Sequence, residues 1–578
     1  MKNKGVFPLK IFLFFHLLLL FLLSFFTLYK LYEIQIIKAK EIEAFYKNNI
    51  KIVPPLRGNI YLKNKDGTLV PIALSFYLYD VYYNPKVTKN LEKEAEKIAR
   101  ILNKDKKEIL SKISSSKTSV VLEKNVDEKT KEKLKMLKFD SLFFEERVAR
   151  NYPLKNLLSR IIGFAVYDEN EKITKGLYGL EKYYDEYLRG EEGYISSYGT
   201  YKPPKRGADL VLNIDYYLQI KTDAILNEAL NNYKAEGGII LVMNAETGDV
   251  LAISEKPDFD LNNYSSFKDY SIYLSKLSFP YEPGSVMKPF FYAGAFEEKI
   301  LSPTSTYVDQ GFVTLNNKTI YNFDKKGRGE VDLRTALVHS LNTGSVYVSQ
   351  VLGKSKFLKY IEKFRFNKTP EVDFPILNSN NLKTLYPPLG REINFGTASF
   401  GQGISVLPFF LLNGYQILFL NKATKINIVS EIDFPEEKKI VNNHKIISEN
   451  ILSQNTILNI KEILESVVEE QAKKAKIKGF RIGGKTGSAL ISTNDGYSED
   501  VITTFIGVFP VSNPKFIVLV RLDKPDKGLL AFGTAAPTFR KVAEFLINYY
   551  NLEPDKPEEL TFNFRLLSLN AYNKNNEK

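Results

Sequence analysis

Between Ile11 and Tyr29 the chain carries no formal charge and is dominated by Leu and Phe, and this run decides where everything after it can fold. It is long enough to cross a hydrocarbon core as a helix. Lys2, Lys4 and Lys10 precede it. They predict a short cytoplasmic tail (1–10), a single-pass anchor in the cytoplasmic membrane (11–29) and an extracytoplasmic remainder. A cleavable signal peptide fits poorly, because the run exceeds a signal h-region and 31–40 offers no A-x-A-like site. His16 within the span reads as a tolerated polar residue. From Lys30 to about Asn49 the pattern stays helical, as a stalk, and Pro54-Pro55 ends it.

At 578 residues, two or three domains are expected. From Arg57 to about Lys205 short strands mix with two charged helical stretches, Leu91–Asn103 and Asp127–Leu137, whose Lys and Glu form solvated faces. Tyr201-Lys-Pro-Pro-Lys-Arg-Gly207 has linker chemistry and closes this stalk and pedestal (30–205). A second domain, 206–552, opens with a helix, Tyr216 to Tyr233, and a hairpin, Gly237–Met243 with Val250–Ser254. Much later, Thr503–Val508 and Phe516–Arg521 form another hairpin, and Ala535–Tyr550 an amphipathic helix. Strands at both ends of a largely helical insert predict one antiparallel sheet built from sequence-distant halves and covered by helices. The tail, 553–578, is expected to be disordered.

The net charge of +13 is spread along the whole chain, which argues against a nucleic-acid partner. Cysteine is absent, so thiolate catalysis and disulfides are excluded. His16, His339 and His444 are the only histidines, and no G-x-S-x-G elbow accompanies them. A Ser-His-Asp triad would have to use His339 or His444, so for a nucleophilic serine in this chain lysine is the favoured base.

Three clusters supply that chemistry in one order: Ser285-Val-Met-Lys288, Ser340-Leu-Asn342 and Lys485-Thr486-Gly487. None is decisive alone. Ser114/Lys117, Ser265/Lys268 and Ser512/Lys515 also read S-x-x-K, and a lone S-x-x-K is more often an N-cap with a surface lysine. Ser285 differs in following a turn, Tyr281-Glu-Pro-Gly284, and preceding an apolar helix to about Phe296. That puts Ser285 at a helix N-terminus, with Lys288 on the same face. A lysine buried beside other cations can lose its proton near neutral pH. Ser340 and Asn342 follow a helix and are expected on a loop at Asn342-Thr-Gly344, although a helix C-cap explains them equally well. Gly479, Gly484, Lys485 and Thr486 satisfy P-loop spacing, but a β-like run follows where a P-loop needs a helix. On an edge strand, Lys485 and Thr486 would clamp a carboxylate, and Gly487 would let a peptide backbone lie close.

These clusters and their surroundings resemble the class B penicillin-binding proteins, membrane-anchored peptidoglycan D,D-transpeptidases, over roughly Arg57 to Tyr550. The likeness includes Arg57-Gly58, Gly179-Leu-Glu181, Tyr184-Asp185, Asn213-Ile-Asp215, Glu246-Thr-Gly248 and Phe400-Gly-Gln-Gly-Ile-Ser-Val406. The last string looks nearer the division and sporulation branch. The resemblance implies an α/β-type transpeptidase fold: an antiparallel five-stranded sheet flanked by helices, an all-helical subdomain, and an elongated α+β pedestal of the dimerisation type. It implies that Ser285 attacks the penultimate D-Ala of a D-Ala-D-Ala stem peptide, with Lys288 as base, Ser340 as proton relay and Asn342 as a substrate contact. Lys485, Thr486, Gly487 and Ser488 would hold the substrate carboxylate, and the backbone N–H groups of Ser285 and Ser488 the oxyanion. It further implies acylation by β-lactams, a role in septal wall synthesis, a membrane glycosyltransferase and division proteins as partners, and no cofactor or metal. Two departures stand out. Tyr61-Leu-Lys-Asn-Lys65 replaces the family's common Asp-Arg pair, and Ser488 and Leu490 replace a Thr and a Gln after the Lys-Thr-Gly. Two other functions share these features: a β-lactam sensor or β-lactamase, which rapid deacylation would reveal, and a non-catalytic divisome scaffold.

Overall fold

The computed structural model describes residues 6–38, 50–115, 118–168, 173–196, 200–267, 269–435, 439–493 and 496–560. The anchor is one helix, Val6–Tyr32, continued by a wider turn, Glu33–Ile37. Among the described residues, no other part of the chain packs on the stretch from Phe12 to Tyr32, whose Leu and Phe side chains stand exposed as a lipid-facing helix requires. The expected stalk beyond Lys38 lies outside the described residues.

The pedestal is built on the strands Ile60–Lys63, Leu69–Tyr83, Val120–Val126 and Leu142–Asn151. Tyr79, Val81 and Tyr83 pack against Ala95, Ile98, Ile109, Ile113 and Leu134 from three helices. Two of these, Leu91–Leu102 and Glu128–Lys135, lie where the charge pattern predicts them, each capped by a side chain, Asn90 or Asp127. The third, Lys106–Ser114, has only two fully buried positions, Ile109 and Ile113, among its lysines and shows no long apolar period. The sheet also recruits Asp209–Leu212, parallel to Ile60–Lys63, and Val429–Asp433. It therefore draws on residues from both sides of the expected division at 205/206.

The second sheet has five strands in the order Val250–Lys256, Gly237–Asn244, Phe516–Asp523, Gly496–Phe509, Gly483–Thr493, all antiparallel. Its sequence-distant halves meet where Gly237–Asn244 pairs with Phe516–Asp523. Helices Tyr216–Tyr233 and Ala535–Tyr549 cover one face, through Leu226, Phe539 and Leu546. On the other face lies the larger core, with the wholly buried Phe290, Phe409 and Tyr415. The largely helical insert also carries two small hairpins, Thr306–Asp309 with Gly329–Asp332 and Phe312–Leu315 with Lys318–Tyr321.

Disorder from residue 553 onward is a failed expectation for the first part of the tail. Asp555 accepts hydrogen bonds from the Arg481 N–H and from Ser512, and Glu559 pairs with Lys476. These contacts dock 553–560 on the second domain. Residues 561–578 lie outside the described residues.

Candidate active site

Ser285 lies on a single 3₁₀ turn, Gly284–Met287, that runs into the buried helix Lys288–Glu297. Gly284 makes the entry possible: its φ of +64° is left-handed, a region a side chain disfavours. Pro289 falls in the first helical turn, where its missing N–H costs least. Ser285 is half-buried and faces a cleft of about 440 Å³, whereas Lys288 is wholly buried.

The second cluster differs from expectation. Helix Leu333–Val338 ends early, Ser340 takes a left-handed φ of +57°, and Asn342 opens the helix Asn342–Lys363. The loop is thus 339–341, and Asn342-Thr-Gly344 is a first helical turn. Buried hydrogen bonds explain the difference. The Thr343 hydroxyl donates to Asp309 Oδ1 at 2.8 Å, and the Thr343 N–H donates to Asn322 Oδ1 at 3.2 Å, which fixes the helix start. Strain at a non-glycine left-handed residue is paid for by such surroundings.

The three clusters converge on one hydroxyl. Lys288 Nζ donates to the Ser340 carbonyl at 2.6 Å, to Ser340 Oγ at 3.2 Å and to Asn342 Oδ1 at 2.9 Å. Lys485 Nζ donates to the same Ser340 Oγ at 2.9 Å and to its neighbour's carbonyl, Thr486 O, at 3.3 Å. Lys288 is bonded to Ser340 and Asn342 rather than to Ser285. Among the described residues, no carboxylate pairs with either amine. Burial pushes the Lys288 amine well below its ordinary range, and Lys485 pushes it further the same way. Burial alone holds Lys485 at about 7. Two ammonium groups sharing one oxygen repel each other, so the pair favours a state with at least one neutral amine.

Lys485, Thr486 and Gly487 lie on the edge strand Gly483–Thr493 and run on as strand instead of opening a helix, so the P-loop spacing has no P-loop structure. Thr486 and Ser488 line the cleft, and the Ser488 hydroxyl accepts the Ala531 N–H at 3.1 Å. Gly487 is required for a reason beyond substrate access: a Cβ there would stand 2.4 Å from Pro283 O, on the nucleophile turn itself. Of the other S-x-x-K pairs, Ser114 ends a pedestal helix and Ser512 bonds Asp555. Lys117 and Lys268 lie outside the described residues.

A profile described as "Penicillin binding protein transpeptidase domain" matches residues 238–544, and one described as "Penicillin-binding Protein dimerisation domain" matches 52–212. The chain belongs to the class B penicillin-binding proteins. Among its relatives, Stage V sporulation protein D of Bacillus subtilis is 32% identical over 87% of this chain and 79% of its own length. Peptidoglycan D,D-transpeptidase FtsI of Buchnera aphidicola is 25% identical over 90% of this chain and 92% of its own. Among solved structures, Penicillin Binding Protein 2X from Streptococcus thermophilus shares the fold with a TM-score of 0.77 at 19% identity, over 86% of this chain and 80% of that one.

The family motifs of the pedestal assemble into one buried ion cluster. Arg57, wholly buried, donates to Glu181 at 2.7 Å and to Asp185 at 2.6 Å, and Arg150 donates to Glu181 at 2.7 Å. The Phe400-Gly-Gln-Gly motif supports the turn that carries Ser285: Gly284 N–H donates to Gly401 O at 3.1 Å, and a Cβ on Gly401 would stand 2.2 Å from Gly284 O. Phe400 and Gln402 line the cleft, and the Phe400 ring lies 5.9 Å from Lys288 Nζ. The motif's glycines were legible in the sequence; their contact with Gly284 was not. Also missed were Phe323, His339, Gln471 and Phe532 on the cleft wall, for which no spacing signal exists. Among the described residues, no three His, Asp or Glu side chains are grouped to hold a metal ion.

Proposed function

We propose that this D,D-transpeptidase family member acts through a Ser285 acyl-enzyme, and the observation that carries this reading is the Lys288–Ser340–Lys485 chain beside it. Neutral Lys288 takes the Ser285 proton as Oγ attacks the penultimate D-Ala carbonyl. The N–H groups of Ser285 and Ser488 receive the developing oxyanion. Ser340 Oγ, shared by both amines, passes a proton to the departing D-Ala nitrogen. Thr486 and Ser488 hold the terminal carboxylate, with Lys485 behind them and Gly487 keeping the strand close. The Asn342 amide is already engaged at both ends, with Lys288 and with Tyr321 O at 2.9 Å. One Nδ2 hydrogen remains for a substrate carbonyl, so Asn342 both positions the base and contacts the substrate.

The acyl group then passes to a stem-peptide amine, forming a cross-link, and β-lactams acylate the same serine. Lys2, Lys4 and Lys10 before the anchor support an inside N-terminus and an extracytoplasmic cleft. The relative named as a peptidoglycan D,D-transpeptidase supports action on wall peptides; septal wall synthesis with a membrane glycosyltransferase partner is the further part of this proposal. Fluorescent penicillin is expected to label the protein covalently, and Ser285→Ala to lose all labelling. Retained labelling in that variant contradicts the assignment.

A further inference from the structure

The cleft wall contains no acidic side chain: its polar residues are Ser285, His339, Ser340, Asn342, Gln402, Gln471, Thr486 and Ser488. A stem-peptide amine arrives as an ammonium, and a cation entering such a cleft needs a negative group at the entrance. The acid nearest in sequence to Ser285 is Glu282, three residues earlier, in the segment that leads into the Gly284–Met287 turn. Its carboxylate accepts the Tyr497 hydroxyl at 3.1 Å and 3.3 Å on its two oxygens. Tyr497 is half exposed, on the strand Gly496–Phe509, whose hairpin partner carries Thr486, Ser488 and Leu490. The Gly403 N–H, next to Gln402 of the cleft wall, also bonds Glu282. Glu282 therefore has neutral donors on two sides and, among the described residues, no ion pair. Partial burial raises its carboxyl above the ordinary range despite those two hydrogen bonds. Two neutral donors leave lone pairs on this carboxylate free to accept a charged N–H.

We propose that Glu282, held by Tyr497, docks the cationic amine of the acyl acceptor beside Ser285. This deepens the transpeptidase reading and rests on it. The docked ammonium sheds one proton to water, and its nitrogen attacks the acyl carbon as the carbon–Oγ bond breaks. The second amine proton passes to Ser285 Oγ. A neutral nucleophile gains nothing from this contact, so Glu282 selects acceptors by charge.

The test is the fate of one acyl-enzyme. A D-alanyl thioester donor is turned over with glycinamide, a cationic amine, or with methanol, a neutral nucleophile, and the ratio of transfer to hydrolysis is read in each reaction. Because both products come from the same intermediate, the ratio cancels any change in acylation. Glu282→Gln is expected to lower the glycinamide ratio about tenfold, the loss of one charge-assisted contact, while the methanol ratio moves less than about twofold. Tyr497→Phe, which leaves the carboxylate in place but unheld, is expected to fall between. Equal loss for both nucleophiles, or no loss for glycinamide in either variant, overturns the proposal. If the wild type forms no acyl-enzyme with the thioester, it is the serine reading that fails.

Discussion

The pedestal and the cleft each bury a cluster of cations, and they treat the charge in opposite ways. In the pedestal Arg57 and Arg150 face Glu181 and Asp185, so every charge has a partner within 2.7 Å. Those partners raise Arg57 further and hold the Glu181 carboxyl below its ordinary range despite complete burial. In the cleft Lys288 and Lys485 are as deeply buried and meet only neutral oxygens, and both amines are pushed down. Pairing makes a buried charge a fastener; withholding the pair leaves an amine that sheds its proton, the property on which the role proposed for Lys288 rests. The same fold uses burial for both purposes, and the difference lies in whether a carboxylate is supplied.

Replacing each buried cation with methionine should separate the two roles. Lys288→Met is expected to cut benzylpenicillin acylation about a thousandfold, the upper range for losing a general base. Its urea midpoint should stay the same or rise, because an unpaired buried amine is removed. Arg57→Met should do the reverse. It leaves Glu181 with Arg150 alone and takes the cation from Asp185, which costs about 3–5 kcal/mol of stability in urea unfolding, while acylation per folded molecule stays unchanged. A smaller effect is expected from pH. Lys485 titrates at about 7 when folded and at 10.5 ordinarily. Between those values the unfolded chain binds a proton that the folded chain does not, so the cleft makes stability rise with pH across that window. Glu181 works at the other end: its carboxyl lies below the ordinary 4.5 when folded, so its contribution is present above that value and lost as pH falls through the folded one. Urea midpoints at several pH values, in wild type, Lys485→Met and Glu181→Gln, separate the two windows. Lys288, also pushed down, supplies its own share of the alkaline rise, so a wild-type rise that is undiminished in Lys485→Met breaks the comparison.

Much of this contrast was legible in the sequence, where local chemistry decides structure. The Tyr281-Glu-Pro-Gly284 turn before an apolar run placed Ser285 and Lys288, and the β-like run after Lys485 placed the edge strand. Where distant residues decide, the sequence was silent or misleading. Asn342-Thr-Gly344 has turn composition, yet Asp309 and Asn322 make it a helix start. The strand Val429–Asp433 crosses into the pedestal sheet to meet Asp209–Leu212, a pairing no local pattern encodes. The first tail residues read as disordered because their acids and lysines find partners only near Arg481 and Lys476. Arg57, Glu181 and Asp185 were visible as family motifs, but their meeting was not.

The central claim is that Lys288 serves as a base because no carboxylate accompanies it, and Asn342→Asp tests it most directly. That substitution places an acid where Asn342 Oδ1 now lies 2.9 Å from Lys288 Nζ. The quantity to measure is the rate of benzylpenicillin acylation against pH for wild type and variant. The account predicts that the acid limb of the variant moves toward alkaline pH by about one unit or more, with activity returning once Lys288 loses its proton. Superimposable profiles, or a uniform loss at every pH, would contradict it.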